Sequence, residues 1–102
     1  MAYTFRDYRG ETIFLSEQVY QVALTKHPEA KLFFDFVAET LVQPDIVKKS
    51  QKDTRTSLYY RYFSQVLNGK FVVIVVKFAE QYFVSTFYAT DKIKQGEVVW
   101  KK

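Results

Sequence analysis

The sequence predicts an α+β domain in which N-terminal helices pack on one face of a four- to five-stranded antiparallel sheet, a C-terminal meander. Three observations carry this. Helix-period apolar residues end near Val42, and β-branched and aromatic runs dominate from Ser57 onward. That order, helices then strands, favours segregated layers. Asn68-Gly69 lies between two such runs and marks a hairpin, because both residues tolerate positive φ. At 102 residues the chain is read as one domain spanning 1–102.

The elements follow in order. Tyr3 to Leu15 is a short hairpin turning at Arg9-Gly10, with Thr12, Ile13 and Phe14 favouring extended backbone. Ser16 caps a helix that runs to about Thr25, with Glu17 in the first turn and Val19, Tyr20 and Ala23 on one face. His27-Pro28-Glu29 breaks that helix and starts another, since proline lacks only an N–H that would be unpaired there. The second helix spans about Pro28 to Val42. Phe33, Phe36, Val37, Thr40 and Leu41 form its core stripe, widened by Leu32 and Phe34, and Gln43-Pro44-Asp45 stops it. Ile46 and Val47 begin a strand; Lys48 to Thr56 is an edge or a loop. Ser57–Leu67, Phe71–Phe78 and Tyr82–Thr90 form the meander, and Glu97–Trp100 adds a last short strand.

Composition narrows the function classes. No cysteine is present, which removes disulfides and thiolate metal sites. The polar, charged segment Met1–Glu11 is no signal peptide. The longest apolar run, Phe71–Val76, is far too short to cross a membrane. A cytoplasmic setting fits. The net charge of +4 and the 19% aromatic content are compatible with nucleic acid, where cations neutralise phosphate. An ordinary, slightly basic domain is the plainer alternative. No serine-hydrolase elbow, phosphate-cradling glycine loop or dinucleotide fingerprint occurs, and no cofactor is expected.

Strand alternation sorts the side chains that remain. In Tyr82–Thr90 one parity holds Phe83, Ser85, Phe87 and Ala89 and is assigned to the face beneath the helices. The other, with Tyr82, Val84, Thr86, Tyr88 and Thr90, is assigned to the open face. In the preceding strands Lys77 shares a parity with Val73 and Val75. Arg61 goes with Tyr59 and Phe63, and Tyr60 with Leu58 and Tyr62, but the inward face of Ser57–Phe63 stays open between the two. His27, the single histidine, is either a cap for the helix at Pro28 or a general acid or base. With one histidine and Asp35, Asp45 and Asp53 unclustered, a metal site is not expected. A face of Arg, Lys, Tyr and Thr can bind single strands by stacking and phosphate pairing. It can also cleave RNA without a metal if it supplies a base for the 2′-hydroxyl, an acid for the leaving oxygen and cations on the phosphate.

Several segments in order carry a family resemblance. They are His27-Pro28-Glu29, Leu41 to Val47, Leu58-Tyr59-Tyr60-Arg61-Tyr62, Val72 to Lys77, Phe83 to Thr90 and Ile93-Lys94-Gln95-Gly96. Over about three quarters of the chain their order resembles phage and bacterial nucleases of the barnase–EndoU–colicin–RelE fold. The resemblance implies metal-independent RNA cleavage by a toxin-like or phage-associated domain. By position it implies His27, Arg61, Tyr88 and Thr86 as catalytic candidates, with Lys77, Thr90 and Tyr60 binding substrate. The expected partners are RNA and, for a toxin, a cognate antitoxin or immunity protein. The alternative from another class is a non-catalytic RNA-binding or protein-interaction module. Catalysis requires His27, Arg61 and Tyr88 to converge on one cleft.

Overall fold

A computed structural model describes residues 2–102. It shows a seven-stranded mixed sheet in the order β1-β2-β6-β5-β4-β3-β7. The strands are β1 Tyr3–Arg6, β2 Thr12–Leu15, β3 Ile46–Lys49, β4 Thr56–Phe63, β5 Lys70–Ala79, β6 Gln81–Thr90 and β7 Val98–Lys101. The helices are α1 Glu17–Lys26 and α2 Val37–Val42.

The α+β class holds, but the expected four or five antiparallel strands become seven. The N-terminal hairpin is not a separate ornament. Its β2 runs parallel to β6 through Ile13 and Phe14, opposite Tyr82 and Phe83. Buried Ile13 and Leu15 give that strand its reason to join, because they complete the core under α1. The last strand does not extend the meander beside β6. Residues 91–97 carry the chain across the sheet to β3, where β7 pairs antiparallel.

Ser16 caps α1 as its sequence position suggests, its Oγ accepting from the Val19 N–H at 3.1 Å. The second expected helix is different. Pro28–Leu32 and Phe34–Phe36 are 3-10 turns, and only Val37–Val42 is α-helical. The cause lies in the aromatic residues. Phe33 is buried in the core, Phe34 packs on Tyr3, Tyr20 and Phe87, and Phe36 packs on Phe63. One straight α-helix cannot send three rings to such separate places. The Asn68-Gly69 turn also proves longer than a two-residue hairpin. Residues 64–69 link β4 to β5, with Leu67, Asn68 and Gly69 all at positive φ. Tyr62 Oη occupies the space a Cβ at position 69 would need.

Two apolar clusters sandwich the sheet. The larger joins Tyr59, Phe63, Val72, Ile74, Val76, Val84 and Phe87 to residues of the helices. The smaller, on the other face, is built on Leu58, Tyr60 and Val73, with Ile46, Phe71, Val75, Tyr88 and Ile93 packed against it. Ile93 belongs to the crossing segment, so this second face is partly roofed.

Candidate active site

A register shift between Val75 and Val76 decides which β6 side chains reach the second face. Val75 pairs with Thr86 but Val76 pairs with Val84, leaving Ser85 as the extra residue. Beyond this bulge the expected parity stands: Phe87 is in the helix-side core, and Tyr88 packs on the other cluster. Before it the parity inverts. Val84 is buried beneath the helices, and Phe83, opposite Lys77, belongs to the second face. A bulge of this kind re-aims side chains and leaves no mark in alternation.

His27 reaches this face. It ends α1, its backbone N–H donating to the Ala23 carbonyl at 2.8 Å. Pro28 then forces an extended backbone, and His27 sits at φ −134°, ψ 76°. Its side chain makes no capping hydrogen bond to the following turn. The imidazole instead stacks on Tyr88, with ring centroids 5.5 Å apart and planes 29° from parallel. Glu29 Oε1 lies 3.7 Å from Nδ1, an ion-pair contact when the ring is protonated. Burial pushes the Tyr88 phenol above its ordinary value, so it stays protonated at neutral pH. Among the described residues no buried side-chain N or O lacks a partner, and Tyr88 Oη makes no hydrogen bond. That hydroxyl therefore meets solvent.

Thr86 and Thr90 flank Tyr88 on the same face, each about 7 Å along the strand. Lys77 lies four residues along β5 from Val73, the partner of Tyr88, hence roughly 13 Å away by strand rise. It stands apart from the His27–Tyr88 pair. Tyr60 is on this face but fully buried, and its Oη accepts from the Lys94 N–H at 3.1 Å. Burial raises its pKa as well. Its place is beneath the crossing segment, which keeps it from direct contact with a ligand.

Arg61 does not join the cluster. It shares the helix-side parity of Tyr59 and Phe63. Its Nη2 is 2.9 Å from Glu39 Oε2, and its Nη1 donates to the Gln43 carbonyl at 2.9 Å. The convergence expected of His27, Arg61 and Tyr88 is thus met by two of the three. Arg61 ties β4 to α2.

Sequence reasoning missed the most heavily bonded polar group, on the helix-bearing face. The Asp7 side chain is fully buried, with Arg9 Nη2 at 2.8 Å. It also accepts from Arg9 N and Nε, Glu11 N and Tyr59 Oη. The Arg9 guanidinium lies over the Tyr82 ring at 4.7 Å and the Tyr8 ring at 5.7 Å. Burial and the donated bond to Asp7 hold the Tyr59 phenol far above its ordinary pKa. The signal available beforehand was Asp7-Tyr8-Arg9-Gly10, a turn whose first residue is a carboxylate able to accept from the backbone two residues on. The partner Tyr59, 52 residues away, had no local signal. Among the described residues no three His, Cys, Asp or Glu side chains gather as metal ligands would.

The chain belongs to the family described as phage-Barnase-EndoU-ColicinE5/D-RelE like nuclease2, whose model matches residues 2–101. No curated protein and no solved structure matches it.

Proposed function

We propose that this member of a phage nuclease family is a metal-independent endoribonuclease, one domain over 1–102, that works on the second face of its sheet. The observation that carries the reading is the stack of His27 on Tyr88, which sets an imidazole beside a protonated, solvent-reaching phenol. His27 takes the proton from a ribose 2′-hydroxyl. The resulting oxygen attacks the adjacent phosphorus, the bond to the 5′-oxygen breaks, and that oxygen leaves with the Tyr88 proton. The products are a 2′,3′-cyclic phosphate and a 5′-hydroxyl, and a proton passed from His27 restores the phenol. Glu29 faces the imidazolium formed midway. Thr86 and Thr90 donate to the substrate beside the reacting phosphate. Lys77 holds a phosphate further along.

Arg61 is left out of this mechanism, because Glu39 and Gln43 occupy its guanidinium on the other face. A toxin-like role in the cytoplasm, countered by an antitoxin or immunity protein, is the biological setting this chemistry fits.

The test is digestion of single-stranded RNA by the purified protein in excess chelator. Cleavage leaving 2′,3′-cyclic phosphate ends, with an RNA methylated at every 2′-oxygen left intact, is the expected result. Cleavage of the methylated RNA, or activity that chelator abolishes, overturns it.

A further inference from the structure

The helix-bearing face carries a cavity of about 200 Å³ that the proposed chemistry does not use. It opens where the β1–β2 turn, the start of β4 and the β5–β6 hairpin meet. Its lining includes three cations, Arg9, Lys49 and Arg55, and no carboxylate. The chain as a whole has 15 basic and 11 acidic residues, so this is local sorting rather than average composition. Asp7 lies beneath and pairs with Arg9, Asp53 pairs loosely with Arg55 at 3.8 Å from outside the cavity, and Lys49 makes no ion pair among the described residues. Asp7 grips Arg9 through Nε and Nη2, and that grip aims the guanidinium. Arg9 Nη1 makes only a 3.4 Å contact with Tyr82 Oη, and the side chain remains 38% exposed. Donor capacity is left facing the cavity. Asp53 holds the backbone at the other arginine, its Oδ1 accepting from the Arg55 N–H at 2.9 Å and its Oδ2 from the Thr56 hydroxyl, while the Arg55 side chain stays 72% exposed. Tyr8, Phe78 and Tyr82 add aromatic walls beside Val47, Val76 and Val99.

We infer that this cavity binds one phosphorylated nucleoside unit, its phosphate held by Arg9, Lys49 and Arg55 and its base against the Phe78 and Tyr82 rings. A fixed guanidinium and two further cations suit a phosphate dianion or diester. Aromatic walls suit any base, because every base offers a π-face. The volume is below that of a drug-sized pocket, so it takes a fragment of a chain or a mononucleotide. The inference rests on the nuclease reading for its choice of ligand. It adds a second site, on the opposite face from His27. The two faces are linked at the sheet end. Arg55 and Phe78 also line a small cleft with Lys77, Phe83 and Asp53, so a path with two cations and one carboxylate runs from the Lys77 face around to Arg9. A single strand cleaved at His27 can thus be held by a nucleotide several units along the chain, bound in this cavity.

Amide chemical shifts of the 15N-labelled chain, titrated with inorganic phosphate, adenosine monophosphate and a short 2′-O-methylated RNA, test this. Saturable shifts at residues 8–9, 49, 54–57 and 82 with the mononucleotide, at least tenfold tighter than with phosphate, are expected. The pair Lys49→Glu and Arg55→Glu should weaken this at least tenfold, while His27→Ala leaves it within twofold. Arg55 is exposed and Lys49 half-buried, and an unchanged spectrum elsewhere shows that the fold persists. Binding of the RNA without the mononucleotide supports a site for a chain; binding of both supports a free nucleotide as well. Equal affinity for phosphate and mononucleotide overturns the base-binding half. Silence at these amides with all three probes overturns the whole. If the protein binds the mononucleotide here but never cleaves RNA, the nuclease mechanism falls and this site stands. If it cleaves RNA while these amides stay silent, the reverse holds.

Discussion

The two faces of the sheet treat their polar groups in opposite ways. On the helix-bearing face they are tied down. Asp7 holds Arg9 and Tyr59, and Glu39 and Gln43 hold Arg61. On the other face His27, Tyr88, Thr86 and Lys77 make no side-chain hydrogen bonds among the described residues, and the sole ordering contact of His27 and Tyr88 as a pair is ring on ring. A buried carboxylate must be fully bonded or it costs stability. A group meant to exchange protons with a ligand has to keep its lone pairs and hydrogens available. Under the proposed mechanism the first face serves stability and the second transfers protons, with the Arg9 cavity as the part of the first face left open.

The sharpest way to break that division is His27→Ala. Loss of a general base costs about 10²–10⁴-fold in rate. On this reading kcat for RNA cleavage falls by that range, while the urea midpoint hardly moves because the imidazole is at the surface of its stack. A protein that unfolds instead, or cleaves at the wild-type rate, erases the distinction. Asp7→Ala should do the opposite. It strips five hydrogen bonds from a buried position and is expected to cost roughly 3 kcal/mol, read by urea denaturation.

Tyr88→Phe sharpens the second face. It keeps the stack on His27 and removes only the proton donor. About a tenfold to hundredfold fall in kcat with unchanged stability is expected, within the usual range for one positioned proton donor. Were activity to survive, Tyr88 would be a platform for His27 and no more.

Alkaline pH probes the first face. Tyr59 has a folded pKa raised above its unfolded value near 10, by burial first and then by its bond to Asp7. A raised pKa of this kind contributes stability that is fully present below about pH 10 and is lost as pH climbs toward the folded value. Circular dichroism should show steeper loss above about pH 10 in the wild type than in Tyr59→Phe, which costs about 1 kcal/mol at neutral pH.

How much of this was legible beforehand follows the range of each interaction. Ser16, Pro28 and the alternation of Phe87 and Tyr88 act over a few residues, and each could be read. The parallel join of β2 to β6, the path of 91–97 to β7 and the Asp7–Tyr59 bond span long stretches of chain with no local trace. The bulge at Ser85 is local but silent, since one extra residue inverts parity without changing composition. The 3-10 turns at 28–36 defeated helical spacing because Phe33, Phe34 and Phe36 obey separate tertiary partners. At the site, sequence brought His27 and Tyr88 onto one list but could not decide the face of Arg61.

Arg61 supplies the smallest predicted effect and a discriminating one. Its ion pair with Glu39 is partly exposed, with side chains 20% and 46% accessible. Such pairs contribute about 0.2–1 kcal/mol, and the bond to the Gln43 carbonyl adds a similar amount. Arg61→Ala should therefore lower stability by about 1 kcal/mol and leave RNA cleavage within about twofold. Glu39→Gln should produce part of the same loss, and the double variant should lose less than the sum, because both changes remove one shared contact. A hundredfold loss of cleavage in Arg61→Ala with native stability would instead bring the guanidinium into the reaction. It would then have to leave Glu39 on substrate binding, and the two faces would cooperate in catalysis rather than divide it.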